Sequence, residues 1–183
     1  QYIGESIKIS GEEADCMYSG IMIDTNNFMT KTGVRTFEAA AFLRRNGADV
    51  TRVRKLFRED AADYKAKADA VSQAEIYRGV FAISVCNSAG LQSPTIAGAQ
   101  AANELLNIRG VKASFVLTEY QGQVFVSARS IDEVNVQVIM EKMGGGGHLG
   151  TAGCQLSGVS LEDGKTMVRE TLDRMIGEGD LVV

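Results

Sequence analysis

The stretch Val80-Phe81-Ala82-Ile83-Ser84-Val85-Cys86 decides the fold class of this chain. It is a continuous apolar run rich in β-branched side chains, which is typical of a strand that is buried on both faces of a sheet. A helical pattern from Ser93 to Ile108 follows it, with Pro94 in the first turn, where the missing N–H costs nothing. A buried strand followed by a helix predicts an α/β domain in this part of the chain.

Two alternating segments after that helix predict a β-hairpin. Apolar side chains recur at every second position in 111–117 and again in 124–128. The dipeptide Gln121-Gly122 between them is a turn signal, so the two strands are expected to pair antiparallel.

The rest of the α/β domain is predicted from shorter signals. Ser130 and Glu133 have the spacing of a capping box, which predicts a helix from there through Met143. The glycine run Gly144–Gly147 ends that helix. A short strand is predicted around Cys154–Leu156, and a last helix begins at Ser160.

The first part of the chain is predicted to be helical. A capping box at Ser10 and Glu13 opens a helix that runs to about Ile23, and two further helices are predicted before residue 60. A longer helical pattern without Gly or Pro covers Asp60–Tyr77 and predicts a helical linker. The predicted organisation is therefore an α/β protein in three parts: a helical piece over 1–60, a linker helix over 61–77, and a compact α/β domain with a mixed sheet over 78–183.

Composition excludes several classes of function. The only histidine of the 183 residues is His148, which rules out sites that need two imidazoles, such as the His-Glu-x-x-His metalloproteases. A net charge of −4 provides no basic field for duplex DNA. No apolar run approaches the roughly 18 residues of a membrane span, so no membrane contact is expected from this chain.

The cysteines indicate the cellular compartment. Three cysteines lie far apart without a Cys-x-x-Cys motif, which indicates a reducing compartment, and we expect a cytoplasmic chain.

The sequence opens at Gln1 without a methionine, and we interpret it as a fragment of a longer protein.

Asp24 is the first candidate site residue. It is expected at the C-terminus of a helix, where the macrodipole disfavours a negative charge by roughly 0.3–1 kcal/mol. A bound cation would reverse that preference, although one carboxylate cannot hold a metal ion alone. The alternative is an aspartate that starts a loop and is stabilised by its Thr and Asn neighbours.

The run Gly144–Gly147, followed by His148, is the second candidate. Successive glycines can aim several backbone N–H groups into one concavity, and such a nest binds anions. A histidine beside the nest can donate a hydrogen bond to a phosphate oxygen. The alternative is a flexible hinge, and the residues alone leave the two hypotheses open.

Arg129, with Ser127 beside it, is the third candidate. A guanidinium is a rigid donor fork suited to phosphate, and the predicted helix N-terminus adds N–H groups nearby. The alternative is a surface arginine paired with Asp132 or Glu133. The predicted helix separates Arg129 from the glycine run by roughly 18 Å. Arg129 and His148 can therefore share a ligand only if the glycine loop folds back or the ligand is extended, like a dinucleotide.

Four motifs in this order resemble the DHH phosphoesterase family, and within it the GdpP-type cyclic-di-AMP phosphodiesterases. The motifs are Ile21–Phe28, Arg35–Ala40, Val126–Ser130 with Val134–Gln137, and Gly144–His148. The resemblance covers essentially the whole chain. It implies the end of a DHH catalytic domain followed by a DHH-associated substrate-binding domain.

The resemblance also implies roles for individual residues. Asp24 looks like the last of the metal-binding aspartates, which hold two Mn²⁺ ions in the intact parent protein. The residues that look like substrate contacts are Ser127, Arg129, Gly144, Gly145, Gly146, Gly147 and His148, with Asn135 as a further candidate. The implied partner is a cyclic dinucleotide or a short oligonucleotide, and a homodimer is compatible with the family. In the GdpP type the parent is anchored in the membrane through upstream segments.

One departure from the family is large. The Asp-His-His motif that names the family is absent from this sequence and would lie upstream of Gln1. We therefore expect the C-terminal portion of a phosphodiesterase that is inactive in isolation. The competing hypotheses are a non-catalytic nucleotide-binding module and an oligoribonuclease-type phosphoesterase.

Overall fold

A computed structural model describes residues 8–182 of the chain. Within them the helices are α1 (Gly11–Asp24), α2 (Val34–Arg45), α3 (Val50–Leu56), α4 (Ala61–Ser72), α5 (Pro94–Leu105), α6 (Val136–Lys142) and α7 (Leu161–Glu178). The strands are β1 (Glu75–Tyr77), β2 (Phe81–Cys86), β3 (Ala113–Tyr120), β4 (Gln123–Ser130), β5 (Gly146–His148) and β6 (Thr151–Ser157). The chain divides into two compact units, one that ends at Glu59 and one that begins at Asp60. The predicted α/β class is confirmed.

The first unit contains helices α1, α2 and α3. The predicted capping box opens α1, because the Glu13 amide donates to the Ser10 hydroxyl and the Glu13 carboxylate accepts from the Ser10 amide. Asp15, a buried residue of α1, accepts from the Asp49 amide at 2.6 Å and from Arg52 Nε at 2.5 Å. The hydrogen bond from Arg52 is the main reason that the pKa of Asp15 lies below its usual value. This carboxylate therefore ties α1 to the start of α3.

The second unit is built around one mixed sheet in the order β1-β2-β3-β4-β6-β5. Strands β2 and β3 are parallel and every other neighbouring pair is antiparallel. Helices α6 and α7 cover one face, over a core that includes Phe81, Phe115 and Leu117. Helices α4 and α5 pack against the other face, α4 beside β2 and α5 across β2, β3 and β4. No helix within residues 8–182 is long and apolar enough to cross a membrane.

The elements predicted from strong local signals are present. The hairpin joins β3 to β4 through Gln121 and Gly122, whose φ angles of 51° and 74° are those of a type I′ turn. Helix α5 has Pro94 at its start. Helix α7 is capped by Ser160, whose hydroxyl accepts from the Asp163 amide.

The linker helix predicted over 61–77 is wrong in its second part. Helix α4 ends at Ser72, and Glu75–Tyr77 form β1, which pairs antiparallel with β2. The turn between the two strands contains Arg78 and Gly79, both at positive φ, which reverses the chain after Tyr77. Ladder hydrogen bonds to β2 therefore replace the helical hydrogen bonds that the pattern suggested.

The helix predicted to begin at Ser130 is also wrong at its start. Strand β4 continues through Ser130, which pairs with Ala113 and donates its amide hydrogen to the Gly150 carbonyl. The Ser130 hydroxyl accepts from the Val134 amide, so the residue stabilises a turn rather than a helix. Helix α6 begins only at Val136, which makes it seven residues long.

Candidate functional site

Strands β4, β6 and β5 lie side by side at one end of the sheet, and the side of them that faces away from α6 and α7 is only partly covered, by α5 against β4. Side chains alternate along each strand, so Val124, Val126 and Ala128 pack into the core that α6 and α7 cover. The opposite side of the three strands is here called the open face. It is formed by Phe125, Ser127, Arg129, Gly146, His148, Thr151, Gly153 and Gln155. Among these, His148, Thr151 and Gln155 are exposed.

Arg129 and His148 lie in one row across the open face. Arg129 pairs with Thr151 on β6, and Thr151 pairs with His148 on β5. Neighbouring strands are about 4.8 Å apart, so the two backbones are separated by about 10 Å. The separation of 18 Å expected along a helix is therefore wrong, because α6 is short and the chain after it folds back beside β6. Ser127, Gly153 and Gly146 form the next row.

Within residues 8–182, the hydrogen-bond partners of the Arg129 guanidinium are backbone carbonyls. Its Nη1 donates to the Ala128 carbonyl at 2.8 Å and to the Ala152 carbonyl at 3.4 Å. Arg129 forms no ion pair within the described part of the chain, so the alternative pairing with Asp132 or Glu133 is absent there. Burial lowers the pKa of Arg129 from its usual value. The result is a partly buried cation on the open face, with carbonyl groups as its observed partners.

The glycine run consists of a helix end followed by an edge strand. Gly144, at φ 81°, ends α6, and the Gly145 amide donates to the Met140 carbonyl at 2.8 Å. Gly146–His148 then form β5 against β6. Extended backbone directs successive N–H groups to opposite sides, so an anion nest over these last three residues is wrong as a local geometry. The hinge alternative does not fit Gly146 and Gly147, because these two residues are paired in the sheet.

Close contact with β6 explains two of the four glycines. A Cβ atom on Gly145 would lie 2.5 Å from the Cβ atom of Cys154. A Cβ atom on Gly147 would lie 2.5 Å from the Cα atom of Ala152, and the φ angle of 149° at Gly147 disfavours any side chain. Gly146 has open space around the corresponding position. Glycine is therefore needed at Gly145 and Gly147 for β5 to approach β6.

Asn135 is the N-cap of α6. Its side-chain oxygen accepts from the Gln137 amide at 3.1 Å. The adjacent Val136 amide donates to the carbonyl of Leu149, the residue after His148. Asn135 therefore helps to fix the start of α6 against the chain that follows the glycine–histidine strand.

Asp24 lies on the first unit, as the last residue of α1, and it is exposed. The loop after it is stabilised by Thr25, whose hydroxyl donates to the Ile21 carbonyl and accepts from the Phe28 amide. No group of three or more His, Cys, Asp and Glu side chains comes together as a metal site within residues 8–182. The donors that these residues bring together do not fit a two-metal centre, and Asp24 would need ligands from elsewhere.

Three residues of the open face were missed by sequence reasoning. Thr151 links Arg129 to His148, and Phe125 and Gln155 form the pair two rows further along. The predicted strand begins at Cys154, although apolar side chains already alternate from Ala152 onward. Extending that alternation would have placed Thr151 and Gln155 on one face.

Comparisons with known proteins identify the family. A family model described as the DHHA1 domain matches residues 82–178. The cyclic-di-AMP phosphodiesterase GdpP of Geobacillus thermodenitrificans is 42% identical over 173 residues, which cover 94% of this chain and 26% of that protein. The cyclic-di-AMP phosphodiesterase PdeA of Listeria monocytogenes is 41% identical over 162 residues, which cover 88% of this chain and 24% of that protein.

A solved structure shares the fold. The exopolyphosphatase-related protein from Bacteroides fragilis superposes with a TM-score of 0.81 at 21% identity, over 91% of this chain and 51% of that one. The chain spans about a quarter of the length of the two curated relatives, at 26% and 24%. Since the family model covers more than half of the sequence, the chain belongs to the DHHA1 domain family and is a GdpP-like portion of a DHH-family protein.

Proposed function

We propose that this chain binds the phosphate groups and the nucleotide of the substrate in a metal-dependent phosphodiesterase. The parent enzyme would hydrolyse cyclic-di-AMP or short linear oligonucleotides. The observation that carries the proposal is the row Arg129–Thr151–His148 across the open face. It joins a partly buried cation, a hydroxyl group and an imidazole on adjacent strands. The names of the two curated relatives supply the substrate class.

The chemistry of the row suits phosphate groups. Arg129 has five N–H donors, and the observed bonds to backbone carbonyls involve only one of its nitrogens. Partial burial strengthens the attraction to an anion, because less water screens the guanidinium. His148 and Ser127 add donors on either side, so a ligand with two phosphate groups can contact both ends of the row.

We assign the metal to the intact parent protein. Two Mn²⁺ ions would supply an activated hydroxide and stabilise charge on the phosphorus oxygens when bound. The described residues bring no further ligands to Asp24, so our assignment for this chain is binding, and we derive no catalytic step from it. We propose Asp24 as a Mn²⁺ ligand only together with ligands from outside these residues.

Titration of the purified chain with cyclic-di-AMP and with its linear product tests the proposed phosphate binding. Hydrogen bonds to charged groups are worth about 1.5–3 kcal/mol, so Arg129→Ala should weaken binding about 10- to 100-fold. His148→Ala should have a smaller effect in the same direction. Arg174→Ala is the matched control, because Arg174 is an exposed arginine of α7, which packs against the opposite face of the sheet. Unchanged affinity in both open-face variants would refute the proposal.

A turnover assay separates the binding role from catalysis. We expect no Mn²⁺-dependent hydrolysis of cyclic-di-AMP by the purified chain alone. Hydrolysis that survives removal of contaminating nucleases would contradict this expectation. The same assay on the intact parent protein, with cyclic and linear substrates side by side, distinguishes a cyclic-di-AMP phosphodiesterase from an oligoribonuclease-type enzyme. Absence of turnover by the parent on either substrate would favour the non-catalytic binding module.

A further inference from the structure

We propose that Phe125 and Gln155 form an adenine-binding subsite on the open face. The two residues face each other across β4 and β6, in the row two positions away from Arg129 and Thr151. The proposal rests on the proposed function, since it requires the ligand to be a dinucleotide whose phosphates contact Arg129.

The spacing along β4 matches the layout of a nucleotide. Phe125, Ser127 and Arg129 occupy alternate positions, so they lie in a line on the open face. At about 3.4 Å per residue, the line is about 14 Å long. A ring, a hydroxyl and a guanidinium follow one another along it. A base, a sugar and a phosphate follow one another in the same order along a nucleotide.

The ring of Phe125 is suited to stacking. Phe125 is only partly buried, although it lies between core residues in the sequence. Its ring centroid lies 6.3 Å from that of Tyr120 in a tilted arrangement, which supports the ring from one side. A partly exposed aromatic ring on a strand that also carries a cation is a platform on which a base can stack. Stacking accepts every base, so selectivity requires a polar neighbour.

Gln155 provides that polar neighbour. It is exposed, and its carboxamide makes no hydrogen bond with residues 8–182. The carboxamide in the next row, that of Gln123, instead donates to the Ser157 hydroxyl at 3.0 Å. A free carboxamide can both accept from adenine N6 and donate to adenine N7. Guanine presents two acceptors at the same edge, which would leave the carboxamide oxygen opposite another acceptor.

Calorimetric titration of this chain with the linear dinucleotides pApA and pGpG tests the subsite. Phe125→Leu should weaken both ligands about 10-fold, because a stacked base is lost. Gln155→Ala should weaken pApA about 5- to 10-fold and leave pGpG unchanged. Gln123→Ala is the matched control and should change neither affinity, because that carboxamide already has a partner.

Three further results decide the interpretation. Phe125→Tyr keeps the ring and should keep the affinity, which separates stacking from a fold defect in Phe125→Leu. If Arg129→Ala weakens binding while the Phe125→Leu and Gln155→Ala variants bind like the unmodified chain, the subsite is refuted and the proposed function stands. If the unmodified chain binds neither dinucleotide, both proposals fail.

Discussion

The two faces of β4 differ in burial, so neighbouring residues of this one strand have different roles. On the core face, Val124, Val126 and Ala128 are at most 2% exposed and pack beneath α6 and α7. On the open face, Ser127 and Arg129 are partly exposed, and α5 covers this side of β4 only in part. Residues that contribute to stability therefore alternate along β4 with residues that are available for binding. Substitutions one position apart should change different properties, and the following experiments test that separation.

The largest expected effect belongs to the core face. Leu172 of α7 is fully buried against the core side of the sheet. Leu172→Ala should lower the free energy of unfolding by about 2–5 kcal/mol, because it removes buried methyl groups and leaves a cavity. Denaturant unfolding measures this loss, and dinucleotide affinity should be unchanged where the variant is folded. A loss of affinity in the folded variant would show that the two faces are coupled.

The edge strand offers a matched pair with a smaller expected effect. Gly147→Ala should destabilise the unit by about 1–3 kcal/mol, because the new methyl group would collide with β6 at a strained φ angle. It should also weaken dinucleotide binding by displacing His148. Gly146→Ala is the control for stability, since its new methyl group meets open space. Thermal unfolding of both variants measures the difference, and equal destabilisation would contradict the close-approach explanation.

The smallest expected effect concerns the cysteines of the two units. Burial raises the pKa of Cys154, on the core side of β6, to about 11. Cys16 of α1 is exposed. At pH 8, iodoacetamide should therefore label Cys16 in the folded chain and leave Cys154 unmodified, as mass spectrometry of the peptides would show. Labelling of Cys154 at the same rate as Cys16 would mean that the core beneath α6 and α7 becomes accessible to the reagent.

The same pKa shift sets a pH dependence. The folded state holds the Cys154 proton more tightly than the unfolded chain does, whose thiol has a pKa of about 8.5. This contribution to stability is therefore complete below about pH 8.5 and is lost as the pH rises through about 11. Cys154→Ala should reduce the loss of stability in that alkaline range, in unfolding experiments run in parallel.

Elements with a complete local signal were predictable from the sequence. The β3–β4 hairpin has alternating strands on both sides of its turn, and α7 has its capping box at Ser160. Strand β1 was not predictable in this way, because Glu75–Tyr77 are too few to show alternation and continue a helical pattern. Their pairing with β2 depends on the turn at Arg78 and Gly79.

The candidate site was predictable in its residues and not in its arrangement. Arg129 and His148 were identified by their chemistry and by a family resemblance, and their roles remain predictions. Their relative position depended on the register of β6, which joins the two through Thr151. The register of a strand is set by the packing of one whole face of the sheet. No local pattern around Gly144–His148 could therefore predict how β5 and β6 pair.

The three-residue strand β5 also bears on the solubility of the protein. Both edges of the sheet, β1 and β5, are very short, which gives another chain little backbone to pair with. Strand β5 pairs only with Thr151, Ala152 and Gly153, so removal of β5 would leave the whole seven-residue edge of β6 without a neighbouring strand. We therefore expect a side chain at Gly147 to favour pairing of the β6 edge with further copies of the chain, because it would displace β5.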